Sequence, residues 1–142
     1  YGNKKDMSNS FVYEKESVDW DLYTKKGFYI WFMPVMVPYG KLHAAAEKAG
    51  FDVKGAPVVE KQVMFGNGWI GVPVKEPKAG VKLVKIEGEF TTHLHVGSYK
   101  KLGDTFTRIM KEYPDAKEWY TMYLNSPADV SEDKLETKIY FR

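Results

Sequence analysis

The stretch EFTTHLHVGSYKKLGDTFTRIM, Glu89 to Met110, changes its periodicity part-way along. Up to His95 it alternates in the manner of a strand. From Leu102 the apolar residues Leu102, Phe106, Ile109 and Tyr113 recur at spacings of four, three and four, which is one face of a helix. Pro114 stops that helix. Gly97 permits a sharp corner between the two elements, and Ser98 stands where its side-chain oxygen can cap the helix by accepting a free backbone N–H. A hydrolase serine would sit in a Gly-x-Ser-x-Gly elbow with an acid placed to orient its histidine. VGSYK lacks the second glycine, and an acid placed to orient His95 would be required as well. The corner therefore reads as architecture.

Working outward, EWYTMYL and LETKIYF follow the helix as two strands. Upstream, Gly27 opens GFYIWFMPVMV, an apolar run that reads as a buried strand, with Pro34 consigning its second half to a bulge or an edge. After Pro38, Leu42, Ala45, Ala46 and Ala49 form a helical stripe of small residues that Gly50 ends. PVVEKQVMF and WIGVPV follow, with Gly66-Asn67-Gly68 between them as the expected hairpin turn. KEPKAG is a connector, and VKLVKIEGEFTTHLHV is a strand interrupted at Gly88. The order is strand–helix–strand–strand, twice. The expectation is an α+β fold of two such units, a mostly antiparallel sheet with two helices packed around a central cleft. Residues 1–10 read as a polar arm, and residues 11–26 have room for one short strand. The expected division is thus an arm over 1–26 and a domain over 27–142.

With 142 residues, 44% of them hydrophobic and 28% charged, the chain suits one globular domain. The net charge of +2, with both signs interleaved, does not suit a dedicated nucleic-acid binder. Cysteine is absent, which excludes thiolate chemistry. No apolar run reaches the roughly 18 residues of a membrane span. The chain starts at Tyr1, so an upstream segment is allowed for, and a cytoplasmic location is the working expectation. Phe, Trp and Tyr make up 15% of the residues, enough to line a pocket as well as fill a core.

HVGSYKKLGDTFTRIM followed by WYTMYLNSPADVSEDKLETKIYF resembles the C-terminal half of GyrI-like domains. These are the effector-binding domains of bacterial transcription activators, in one superfamily with the SOUL haem-binding proteins. The resemblance rests on His95, Gly97 and Tyr99, on Tyr123, Leu124 and Pro127, and on Leu135, Thr137 and Ile139. It implies paired units around a hydrophobic cleft that accepts amphipathic, often cationic, aromatic molecules. Relatives serve transcription regulation, stand alone, hydrolyse cyclopropane-bearing genotoxins or bind a partner protein. The family's cleft glutamate lies two residues before the tyrosine of Tyr-Leu-x-x-Pro, where this chain has Thr121. That departure implies that neutral ligands do at least as well as cations, and that a hydrolase has lost its base.

Alternation groups Trp119, Thr121 and Tyr123 on one strand face, and the family position turns that face to the cleft. Tyr29, Trp31 and Met33 oppose Phe28, Ile30 and Phe32. Counting does not choose between these sets, but amphipathic rings suit a half-wet cleft, so Tyr29 and Trp31 are assigned to it. Thr121 and His95 would supply polar contacts.

His93 and His95 share a strand face, but two ligands do not make a zinc site. No feature favours an axial haem ligand, and no cofactor is expected. KGFYIWF echoes an RNA-binding strand only loosely, with Tyr29 where a small residue belongs. The expected ligand is a small hydrophobic or aromatic molecule, with no nucleic acid bound by this domain alone. The runners-up are a hydrolase of reactive hydrophobic compounds and a protein-binding module.

Overall fold

The computed structural model describes residues 11–142, and the polar arm over 1–10 lies outside them. Seven strands run β1 Glu14–Ile30, β2 Met33–Met36, β3 Val58–Gln62, β4 Phe65–Pro73, β5 Val84–Val96, β6 Trp119–Tyr123 and β7 Glu136–Phe141. The helices are α1, Leu42–Lys48, and α2, Leu102–Glu112. Strand order is β2-β1-β4-β3-β6-β7-β5, and β1 also pairs with β5, so the sheet closes on itself with β2 appended. Every pairing is antiparallel. The two units are β1-α1-β3-β4 and β5-α2-β6-β7, joined through the β3–β6 pairing.

One unbroken strand of 17 residues occupies the region expected to hold a short one, and it crosses position 26 without a boundary. Residues Glu14 to Leu22 pair with β5, and Leu22 to Ile30 pair with β4. Its buried phase changes on the way. Val18 and Leu22 pack with Ile86, Phe90, Tyr120 and Tyr140 where the sheet curls together. Gly27 and Tyr29 are then buried instead, on the other parity. A strand that serves two cores in turn shows no single two-residue alternation, which is why its first half looks irregular in sequence.

The helices cover the outer sheet face separately. Leu42 and Ala46 of α1 pack with Ile70 and Val72 of β4. Phe106 and Ile109 of α2 pack with Trp119, Ile139 and Phe141. The corner behaves as architecture: Gly97 has φ +128°, and Ser98 Oγ accepts the Lys100 N–H at 3.1 Å. Gly88 also has a positive φ, yet β5 runs through it intact.

Two expectations need correction. The apolar run from Gly27 is not one buried strand: a turn at Trp31-Phe32 folds it back, and all four residues of β2 are exposed. Pro34 is accommodated because β2 is an edge. The β3–β4 turn lies at Val63 and Met64, and Gly66-Asn67-Gly68 continues β4 opposite Gly27 to Tyr29. Glycine serves close approach at this point. A Cβ on Gly68 would sit 2.8 Å from the Tyr29 ring.

Candidate functional site

Between the start of α2 and the β1–β2 turn lies a cavity of about 810 Å³ whose walls include Trp31, Phe32, Tyr39, Tyr99, Phe106 and Tyr123, with Glu60 and Gln62 among the residues that bound it. That volume is within the range of small-molecule sites. The floor is where the two units meet, with β3 beside β6 and Glu60 directly opposite Thr121.

Glu60 is 1% exposed. Its Oε1 accepts from Tyr123 Oη at 2.5 Å and from Gln62 Nε2 at 2.9 Å. Its Oε2 accepts from Tyr29 Oη at 2.6 Å and from Tyr39 Oη. Burial, reinforced by the adjacent Glu60 charge, raises the phenols of Tyr29, Tyr39 and Tyr123 well above their ordinary range. All three therefore keep their protons and donate. A buried carboxylate is costly unless its oxygens are satisfied, and four donors meet that requirement. Gln62 ties the two strands together, since Nε2 also donates to Thr121 Oγ1 at 3.0 Å. Its Oε1 is buried with no partner among the described residues, which leaves one acceptor open at the cavity floor.

The sequence-predicted residues divide into layers. Trp31 and Tyr123 border the cavity. Tyr29 and Thr121 are fully buried beneath it and act through Glu60 and Gln62. Trp119 shares a face with Tyr123 as expected, but α2 covers it and its ring stacks 5.1 Å from Phe141. His95 is also away from the cavity. Its Nε2 lies 3.0 Å from the Ser98 carbonyl, which only accepts, so Nε2 carries the proton and Nδ1 accepts from Thr105 Oγ1 at 2.9 Å. Both nitrogens are thus engaged in holding α2 to β5, and neither reaches the Ser98 hydroxyl. His93 stacks on Phe11 at 4.2 Å, with Nδ1 near the Val12 carbonyl. Among the described residues, no group of three His, Cys, Asp or Glu could hold a metal ion. None of their helices is long and apolar enough to cross a membrane.

The missing cleft acid is the principal correction. Thr121 does not leave the site without a carboxylate, because Glu60 supplies one from the paired strand of the other unit. A signal was present in PVVEKQ: β-strand alternation sets Val58, Glu60 and Gln62 on one face. Choosing the helix-covered face as theirs required knowing which strand lies alongside.

No family model matches the chain, and no curated protein matches it in sequence. Solved structures do match in fold. The crystal structure of the EcmrR C-terminal domain superposes with a TM-score of 0.70 at 14% identity, covering 92% of this chain and 96% of that one. A hydrolase encoded by lin2189 from Listeria innocua superposes with a TM-score of 0.57 at 15% identity, covering 91% and 90%. The chain therefore has the α+β fold of those two proteins over nearly its whole length.

Proposed function

We propose that the cleft is an effector site for a flat, amphipathic aromatic molecule, and that it prefers such molecules when they carry a positive charge. The observation that carries this reading is a fully buried carboxylate on the floor of a ring-walled cavity. The apolar walls favour any planar hydrophobic ligand, at about 1.5–3 kcal/mol for each large apolar group buried. Glu60 adds the charge preference, since a cation enclosed beside it offsets a desolvated negative charge. Lys100, at the rim, is exposed and therefore opposes a cation only weakly through water and salt.

The donors around Glu60 also favour binding over catalysis. A carboxylate offers about four lone-pair sites, and four protein donors occupy them. A general base needs a free one to take a proton from water. Hydrolysis is the second reading because the cleft does hold a carboxylate and one structure of this fold is a hydrolase. It requires displacing one of those hydrogen bonds.

Titration calorimetry with N-methylacridinium and its neutral analogue N-methylacridone tests the proposal. The cation should bind in the micromolar range. Glu60→Gln should weaken it by at least about tenfold, or 1.4 kcal/mol, and leave the acridone within a factor of two. Equal loss for both compounds, or none for the cation, would refute the charge preference. Consumption of a strained electrophile that stops in Glu60→Gln would favour the hydrolase instead.

A further inference from the structure

We infer that Trp31 is a stacking shelf that selects planar ligands, an inference that rests on the binding reading above and names the shape the site takes. Trp31 and Phe32 form the two-residue turn between β1 and β2, with Ile30 opposite Met33. Both have positive φ, +52° and +62°. That geometry suits Asn-Gly and is a genuine outlier for bulky side chains. Hydrogen bonds hold it in place: the Phe32 N–H donates to the Val63 carbonyl at 3.2 Å, and the Trp31 N–H donates to the Met64 carbonyl. The turn is thereby anchored to the β3–β4 connection, and its disfavoured conformation persists because the surroundings over-determine it.

The two rings differ in what they contact. Phe32 stacks on Phe106 of α2, with centroids 5.8 Å apart and planes 4° from parallel, so its ring has a structural use. Trp31 is 72% exposed while bordering the cavity. An exposed indole at a backbone position that disfavours it contributes nothing to the free protein that asparagine would not. A flat ligand in the cavity would cover the indole face, and a positive charge on that ligand would add a cation–π attraction. An indole carried on a fixed backbone turn rewards planarity, because only a flat molecule can meet it face-on. Trp31 is also the one tryptophan of four that borders this cavity, which makes its emission a direct reporter.

The test uses the full chain and compares N-methylacridinium with tetrapropylammonium, a cation of equal charge that is not planar. Trp31→Asn should keep or raise Tm, because asparagine fits the turn. It should weaken N-methylacridinium by about tenfold or more and change tetrapropylammonium by less than about twofold, and Trp31→Phe should recover most of the loss. N-methylacridinium should quench wild-type tryptophan emission more strongly than that of Trp31→Asn. If the Asn variant binds N-methylacridinium as tightly as wild type while Glu60→Gln does not, the shelf is refuted and the charged cleft stands. Equal weakening of both cations in Trp31→Asn would refute planarity selection. Failure of wild type to bind either cation would remove the binding reading and the shelf with it.

Discussion

The two units share an element order but carry different duties. In the second, α2 lays Phe106 and Ile109 over Trp119, Ile139 and Phe141, and buried rings account for much of the contact. Its histidines are engaged too, His95 pinning α2 and His93 stacked on Phe11. In the first, α1 is shorter and buries only Leu42 and Ala46, while the polar and strained features beneath and beside the cavity accumulate: the Glu60 carboxylate, Tyr29, Tyr39 and the Trp31 turn. The second half is chiefly scaffold, although its Tyr99, Phe106 and Tyr123 also wall the cavity, and the first supplies the buried acid. The motif resemblance falls on the scaffold half.

The largest expected effect challenges the scaffold half. Trp119→Ala removes a ring buried against Phe106 and Phe141, and should cost about 3–5 kcal/mol in denaturant unfolding. The milder Trp119→Phe should lose less and leave the acridinium-to-acridone preference as in wild type. A changed preference would mean that Trp119 belongs to the site after all. A mid-sized effect sharpens the comparison between units. Glu60→Thr should lower acridinium affinity by about tenfold or more, and adding Thr121→Glu should restore most of it, since the two positions face each other across the seam. No recovery in the double variant would show that the three tyrosines, and not the charge alone, define the acid's position.

The smallest effect is a pH dependence confined to the second unit. Burial lowers the pKa of His93 from its ordinary 6.5, opposed by its bond to the Val12 carbonyl, with His95 and Arg108 acting in the same direction as burial and Glu112 against it. The folded protein therefore binds fewer protons there than the unfolded chain, so stability rises with pH across that window. Above 6.5 both states are neutral and the full stability is present; it declines as pH falls below that value. Glu112 is held below 4.5, chiefly by the Tyr13 hydroxyl, so its contribution is lost only in stronger acid. Thermal melts from pH 7 to pH 5 should thus show a decline of about 1 kcal/mol or less that His93→Gln flattens, with cleft preference unchanged. A slope identical in both proteins would assign the acid sensitivity elsewhere.

Much of this architecture can be read from local pattern. The α2 stripe, the Gly97 corner, the Ser98 cap and the twofold element order depend on residues within a turn or two of one another, where spacing alone constrains geometry. Local pattern misled where the chain contradicts its usual signals. Asn67 lies within a strand because β1 pairs with it, and Trp-Phe makes a turn whose geometry favours Asn-Gly because Met64 and Val63 hold it.

By itself the sequence determined two strand–helix–strand–strand units, the helix faces that bury them and a supply of rings sufficient for a pocket. Only the tertiary structure decided that Glu60 stands opposite Thr121, that three tyrosines and Gln62 converge on it, and that Trp119 and His95 are packed away beneath a helix. The reason is physical. Periodicity reports which side of its own element a residue occupies, but a site made by two strands distant in the chain exists only once their pairing brings the side chains together.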